Sequence, residues 1–231
     1  MEARPIPALL VGTPEPFGPG RRTSAIQKTL VEGPIAIGKG GLQGDAQADK
    51  KHHGGPHQAV HHYAFEHYER WRAEYPAAAE ELAEPGFFGE NISTRGMTEE
   101  TVCIGDRYRI GTAVLEVSQG REPCWKLAFR IGDPEFARRV QEVGATGWFY
   151  RVLEAGSASP GDPIELLERP YPEWTVHRLL SGFYLDPLNQ EFLQEIAALE
   201  PLSPGWREKA AKRLESGRVE PWNRRLTIPG G

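Results

Sequence analysis

Several residue classes are scarce in this sequence of 231 residues, and each scarcity excludes a kind of protein. Two cysteines, Cys103 and Cys124, are too few for a disulfide-stapled scaffold, so a reducing cytoplasmic environment is expected. No apolar run reaches the roughly 18 residues of a membrane span, and the N-terminal apolar stretch is too short for a secretory signal. The net charge of −5 disfavours a nucleic-acid binder, although it leaves room for a local basic pocket.

Glycine and proline are abundant, with 26 and 20 residues, and hydrophobic residues make up 39%, enough for a core. Turn sequences separate short segments that are rich in β-branched and aromatic residues. This pattern predicts a mainly β fold of the barrel or sandwich kind. The segments that we predict as strands are residues 26–31, 101–104, 108–110, 114–117, 146–153 and 164–167.

Two prolines, Pro170 and Pro172, predict a domain boundary, because proline disfavours continued strand or helix. We therefore expect a β domain over residues 1–169 and a small three-helix domain over residues 170–231. Three apolar stripes at helical spacing support the second domain. They consist of Val176, Leu179 and Leu180; Phe192, Leu193 and Ile196; and Trp206, Ala210 and Leu214.

Two helices are predicted to interrupt the β domain. The first covers residues 59–75, where apolar residues recur at helical spacing until Pro76 stops the helix. The second begins at Asp133 and Pro134, a capping residue followed by a proline in the first turn, and ends at Gly144.

Cys124 is the most informative residue of the sequence. It follows a predicted strand, and Arg121 and Lys126 lie within three residues of it. Cationic neighbours favour the thiolate, which is the form that acts as nucleophile or metal ligand. A buried structural cysteine is the competing interpretation. Cys103, which lies between two apolar residues of a predicted strand, is interpreted as a core residue.

A glycine-rich and histidine-rich segment over residues 40–60 is a second candidate. His53, Gly54 and Gly55 directly precede the first predicted helix, where free amides favour an anion. Lys50 and Lys51 add positive charge, so the segment indicates phosphate binding. A solvated basic turn is the competing interpretation.

The same segment permits a zinc site. His57 and His61 are four residues apart, a spacing that places two zinc ligands on one helical face. The HExxH pattern is absent, however, because Gln58 stands where a carboxylate is needed. A third feature, Glu90 and Asn91 after a glycine, offers a carboxylate and an amide but on its own indicates only a turn.

Taken in order, these pieces resemble the MOSC domain family, named for the C-terminal domain of molybdenum-cofactor sulfurases. The resemblance is closest to the bacterial YiiM-like proteins, which combine a MOSC β-barrel with a three-helix domain. Two departures are mild: Gly120 replaces a proline, and His57 replaces an acidic residue. The motifs that carry the resemblance are Gly41–Asp45, His53–Pro56 with Ala59 and Val60, Gly89–Asn91, and Arg121–Leu127.

The resemblance implies a molybdenum cofactor, with Cys124 as a protein ligand to molybdenum; pyridoxal phosphate is not expected. A soft thiolate suits a thiophilic metal, which agrees with the interpretation of Cys124 from its neighbours. The anionic pterin phosphate needs hydrogen-bond donors. The candidates for cofactor binding are Lys51, His53, Gly54, Gly55, Asn91, Arg121 and Lys126.

The resemblance also implies reduction of N-hydroxylated compounds, such as hydroxylaminopurine base analogues, by two electrons and two protons. His57, His62 and Glu90 are the candidate proton donors. The sequence has no flavin, haem or iron–sulfur signature, so a separate flavoprotein electron donor is the expected partner. Nucleic acid and membrane are not expected as partners, and the oligomeric state is left open.

Two alternatives remain. The domain is a non-catalytic module that binds the cofactor or carries sulfur, or it is a cysteine or zinc hydrolase. The sequence shows no ordered nucleophile and base pair for the hydrolase.

Overall fold

The computed structural model describes residues 4–48 and 54–230, and these residues fold into short strands that helices connect and follow. Within these two ranges the strands are Arg4–Pro5 (β1), Ala8–Val11 (β2), Glu15–Pro16 (β3), Thr23–Ser24 (β4), Thr29–Leu30 (β5), Ile35–Gly38 (β6), Gly41–Leu42 (β7), Val60–Ala64 (β8), Ile92–Thr94 (β9), Arg107–Ile110 (β10), Ala113–Gly120 (β11), Trp148–Glu154 (β12), Gly156–Ala158 (β13) and Pro163–Glu168 (β14).

The strands form one large sheet and two small ones. The large sheet has nine strands in the order β1-β14-β10-β11-β12-β8-β9-β2-β5, and a second sheet has the order β13-β6-β7. Strands β3 and β4 pair separately. Neighbours are antiparallel except β8 and β9, which run parallel with His62 opposite Ile92.

The large sheet and the β6 sheet enclose one hydrophobic core. Val117 of β11 and Tyr150 of β12 belong to the same buried cluster as Ile37 of β6. Two tail residues, Leu180 and Trp206, also belong to this cluster. The tail helices therefore pack on the sheets and share their core, because three short helices alone bury too little apolar surface. The division at residue 170 stays a prediction.

Helices connect the strands and form the tail. The described residues contain Glu66–Glu74 (α1), Trp125–Ile131 (α2), Phe136–Val143 (α3), Val176–Tyr184 (α4), Gln190–Ala198 (α5), Pro204–Ser216 (α6) and Asn223–Leu226 (α7), with short 3-10 turns at Pro56–Gln58 and Pro76–Ala78. The fold class expected from the sequence, mainly β with interspersed helices and a three-helix tail, is confirmed. No helix in the described part of the chain is both long and apolar enough to span a bilayer.

The predicted helix over residues 59–75 is partly wrong. Its first part is strand β8, and only its second part is helix α1. Strand β8 lies between β12 and β9 in the large sheet, and all five of its residues are buried. A strand that is buried on both faces does not alternate apolar and polar residues, so its pattern was indistinguishable from the start of a helix.

Other boundaries also differ. Residues 101–104 form a turn with one isolated bridge from Cys103 to Thr175, and only Thr29–Leu30 of the segment 26–31 is strand. Helix α3 starts at Phe136, and Asp133 Oδ1 accepts the Glu135 amide at 2.9 Å just ahead of it. Its predicted end at Gly144 is confirmed.

Candidate cofactor site

A cleft of about 1140 Å³ opens between the large sheet, the start of α6 and the C-terminal segment 220–230. The structure brings most of the predicted site residues to its walls. Those that line it are Gly54, Gly55, His57, Asn91, Arg121, Cys124 and Lys126. His62 and Glu90 are not among the lining residues, and Lys51 and His53 lie outside the described residues.

Cys124 stands where β11 passes into α2. It is the N-cap residue of α2, with an extended backbone at φ −135° and ψ 166°. The thiol is free, and the residue is 6% exposed while lining the cleft. The sequence did not predict α2, so it placed Cys124 in a loop after a strand but missed its position at a helix start.

Arg121 is a buried cation with unused donors. The residue is 7% exposed, and its Nη1 has no hydrogen-bond partner among the described residues. Its Nη2 donates to the Phe88 carbonyl at 3.4 Å, and its backbone amide donates to the Gly147 carbonyl at 3.0 Å. Burial lowers the pKa of Arg121, yet an arginine stays charged in a protein. A buried charge without a partner is costly, so the position favours an anionic ligand.

The charge of the cleft is opposite in sign to that of the whole chain. Among the residues that the structure describes, two acidic side chains line it, Glu122 and Glu220, and both are paired, with Lys209 at 2.5 Å and Arg213 at 2.8 Å. This surplus of cations attracts anions into a concave site even though the chain carries a net −5. The basic lining residues are Arg22, Lys28, Arg121, Lys126, Lys209, Arg224 and Arg225.

Asn91 lines the cleft, and its side-chain amide is hydrogen-bonded within the protein. Its Oδ1 accepts the His61 amide at 3.0 Å, and its Nδ2 donates to Asp45 at 2.9 Å and to the Leu10 carbonyl at 3.1 Å. Asp45 in turn pairs with the buried Nζ of Lys28. Burial lowers the pKa of Lys28, and Asp45 opposes that shift. The Asn91 amide is thus satisfied within the protein, and its direct contact with a cofactor stays a prediction.

The three histidines near the cleft have different environments. His57 lines the cleft, and its pKa is lowered by burial and by Arg151, whose Nη1 lies 3.4 Å from Nδ1. His61 also lines the cleft, is buried, and has a pKa well below its usual value because of burial and Arg121. His62, its neighbour in β8, is buried between the side chains of Thr94 and Tyr150, at 2.8 and 3.0 Å.

The structure places His62 behind the cleft wall, so it does not support His62 as a proton donor, and that role stays a prediction. Burial lowers its pKa to about 3, and it is not among the residues that line the cleft. Successive side chains of a strand point to opposite faces, so His61 reaches the cleft and His62 the core. The sequence missed His61 because it assigned residues 59–64 to a helix.

Glu90 also lies behind the wall. Its Oε1 accepts from the Tyr68 hydroxyl at 2.5 Å and from the Gly86 amide at 2.7 Å, and burial raises its pKa. These bonds hold the loop that carries Phe88, whose carbonyl receives Arg121. Glu90 thereby supports Arg121 and does not face the cleft.

The glycine and histidine segment differs from its prediction. Gly54 and Gly55 line the cleft with φ values of 88° and 91°, but they precede a three-residue 3-10 turn and a strand. The α-helix expected directly after these residues is therefore not found in the described structure, and their role in phosphate binding stays a prediction. No group of three or more potential metal ligands occurs in the described parts of the chain, and His57 and His61 do not share a helix.

Contacts from three directions hold the loop that carries Cys124. Glu122 pairs with Lys209 of α6 and accepts from the Tyr184 hydroxyl of α4 at 3.4 Å. Arg225 donates to the Pro123 carbonyl and, at 2.6 Å, to Gln141 Oε1. No local signal in the sequence marks Lys209 and Arg225, since they lie 85 and 101 positions beyond Cys124 and meet the loop only in the fold.

Comparison with known proteins identifies the family of the chain. The model of the MOSC domain matches residues 49–165, and the model of the YiiM-like three-helix domain matches residues 174–217. The chain belongs to the MOSC domain family.

Among the relatives of this MOSC protein, YiiM of Escherichia coli is 39% identical over 208 residues, which cover 90% of this chain and 92% of that protein. A protein named reductase from Gibberella moniliformis is 41% identical over 198 residues, which cover 85% of this chain but 35% of that protein. The crystal structure of Escherichia coli YiiM superimposes with a TM-score of 0.82 at 31% identity, covering 98% of this chain and 100% of that one.

Replacing His62 by glutamine should reduce the loss of unfolding free energy that occurs as the pH falls below about 6.5. The unfolded chain binds a proton at histidine below about pH 6.5, whereas native His62 does so only near pH 3. The native state therefore loses stability as the pH falls through that window, by at most about 1.4 kcal/mol per pH unit from this residue. Urea unfolding at pH 7, 5.5 and 4.5 measures the slope. His177→Gln, on the exposed side of α4, is the control, and equal slopes for His62→Gln and the parent would contradict the assignment.

Cys124 should react with iodoacetamide before Cys103. Cys103 is 1% exposed, and burial raises its pKa to about 11, so it is the internal control for reactivity. Arg225→Ala removes the bond to the Pro123 carbonyl, which should loosen the loop and speed alkylation of Cys124 several-fold. Mass spectrometry of both peptides measures the two rates. An unchanged Cys124 rate in Arg225→Ala would show that Arg225 does not hold the loop.

Proposed function

We propose that this MOSC protein is a molybdenum-cofactor-dependent reductase of N-hydroxylated compounds. The observation that carries the proposal is the juxtaposition, on one basic cleft, of the free Cys124 thiol and the unpartnered Nη1 of Arg121. A thiolate suits a thiophilic metal, and an unpaired buried guanidinium suits an anion. The residues present thus fit a cofactor that carries both molybdenum and a phosphate.

In this proposal each cleft residue has a defined task. Cys124, at the start of α2, supplies the thiolate ligand. Arg121 and Lys126 neutralise the anionic part of the cofactor, and Gly54 and Gly55 let the backbone approach it. When bound, the molybdenum centre supplies two-electron redox chemistry that no protein side chain provides.

The overall reaction consumes two electrons and two protons. The N–O bond breaks, and R–NH–OH leaves as R–NH₂ and water. Of the three proton donors considered, His57 is the one that lines the cleft. Because the Arg151 guanidinium can only donate to Nδ1, the proton of neutral His57 is assigned to Nε2. In the proposal the electrons come from a separate flavoprotein, and the reaction takes place in the cytoplasm.

Cys124→Ser should keep the fold but lose both bound molybdenum and N-hydroxyl reduction. The protein is expressed with molybdate, its metal content is measured by elemental analysis, and activity is assayed anaerobically with reduced viologen and hydroxylaminopurine. Cys103→Ser is the matched control and should retain both properties. A Cys124→Ser protein with full metal and full activity would remove the ligand assignment. Tight cofactor binding by the parent without turnover would favour the carrier function.

Arg121→Ala should reduce cofactor retention without changing secondary structure. A hydrogen bond to a charged group contributes about 1.5–3 kcal/mol, so the affinity should fall about tenfold or more. Pterin fluorescence after oxidation measures the cofactor that stays bound, and circular dichroism checks the fold. Arg22→Ala, at the exposed edge of the cleft, should have a small effect. Equal retention in the two variants would exclude this role for Arg121.

A further inference from the structure

The start of helix α6 forms a part of the cleft wall that no motif of the sequence marks. Ser203, Pro204, Gly205 and Trp206 all line the cleft. The Ser203 amide donates to the Ser118 carbonyl of β11 at 2.8 Å, which fixes the helix start to the strand that leads to Cys124. This region is therefore held rigidly beside the candidate cofactor site.

Two buried donors in this region have no acceptor. Ser203 is 3% exposed and Trp206 1% exposed, and neither Ser203 Oγ nor Trp206 Nε1 has a hydrogen-bond partner among the described residues. The other two long tail helices, α4 and α5, have the side-chain N-cap hydrogen bond that α6 lacks. Thr175 and Asn189 accept from the Arg178 and Phe192 amides at 3.0 and 3.1 Å. Ser203 holds the same N-cap position in α6 but makes no such bond.

Buried polar groups are almost always paired in native proteins, and leaving one unpaired is costly. Two unpaired groups on residues that line the same cleft therefore point to a ligand. The indole N–H can only donate, so the ligand atom at Trp206 must be an acceptor. Gly205 adds a backbone N–H, and an added Cβ there would meet nothing within 4 Å, so the space over it is open.

The charge of the ligand follows from the helix. The first turn of a helix carries unpaired amides and the positive end of its dipole, which together favour an anion. Helix α6 has 13 residues, and Lys209 lies one turn further along it, paired with Glu122. His57 is close by, because Arg151 bridges its ring at 3.4 Å and the Pro201 carbonyl at 3.0 Å. An oxygen-rich anion with several acceptor atoms, a phosphate group, matches this donor set.

We propose that the start of α6 is a phosphate-binding subsite of the cleft, in which Ser203, Gly205 and Trp206 donate hydrogen bonds to one phosphate group. The subsite goes beyond the proposed reductase function, since it does not depend on the redox step. The phosphate belongs to a phosphate monoester, either the terminal phosphate of the pterin or that of a nucleotide substrate.

The direct test is a titration of ¹⁵N-labelled protein with inorganic phosphate, followed by NMR. Trp206→Phe identifies the Trp206 indole signal among the six tryptophans. We expect this signal and the Gly205 amide to move saturably downfield. Ser203→Ala should weaken phosphate binding about tenfold, since it removes a hydrogen bond to a charged group. Thr175→Ala, which alters a helix cap away from the cleft, should leave the affinity unchanged.

The proposal would be overturned if the Trp206 indole signal did not shift on addition of phosphate, or if Ser203→Ala bound phosphate as tightly as the parent protein. Phosphate that binds only beside Arg121 would give the first of these results. Because this titration needs neither molybdenum nor turnover, it decides the subsite even if N-hydroxyl reduction is absent.

A second measurement identifies the source of the phosphate. Loss of pterin from purified Ser203→Ala would assign the subsite to the cofactor. Retained pterin, with a raised KM for an N-hydroxylated nucleoside monophosphate but not for the free base, would assign it to the substrate. Unchanged pterin content together with unchanged KM values for both compounds would contradict a phosphate subsite.

Discussion

The burial of one cation, Arg121, organises the cleft of this protein. Its guanidinium is removed from water, and only one of its terminal nitrogens, Nη2, finds an acceptor in the described structure. Desolvating a charge is costly unless an opposite charge or several acceptors replace the water. The fold therefore holds a position that favours an anion, three residues from Cys124 along the chain.

That position exists because distant segments hold the loop between β11 and α2. The segment just before β12 provides the Gly147 carbonyl for the Arg121 amide, and the tail provides Lys209 for Glu122. The C-terminal segment provides Arg225 for the Pro123 carbonyl. Gly120 lies against the tail, because a Cβ added there would be 2.9 Å from the Leu180 side chain. The tail is thus part of the site as well as of the core.

The histidines illustrate what a sequence pattern leaves undecided. His57, His61 and His62 all carry the same ring, but only the first two line the cleft. The sequence analysis placed His57 and His61 together by helical spacing, but His61 lies on strand β8. The strand was mistaken for a helix because it is buried on both faces, so its apolar and polar residues do not alternate. Glu90 shows the same limit. Glu90 belongs to one of the sequence motifs, yet its carboxylate accepts hydrogen bonds from Tyr68 and Gly86 and does not line the cleft.

The sequence by itself determined the family, the fold class with its three tail helices, and the position of Arg121 three residues before Cys124. Each of these depends on order along the chain or on the short-range periodicity of apolar residues. Only the tertiary structure decided that His61 and not His62 faces the cleft, that Asn91 is satisfied by Asp45, and that Ser203 and Trp206 carry unpaired donors into the wall. These facts depend on contacts between segments far apart in the chain, and such contacts leave no local pattern.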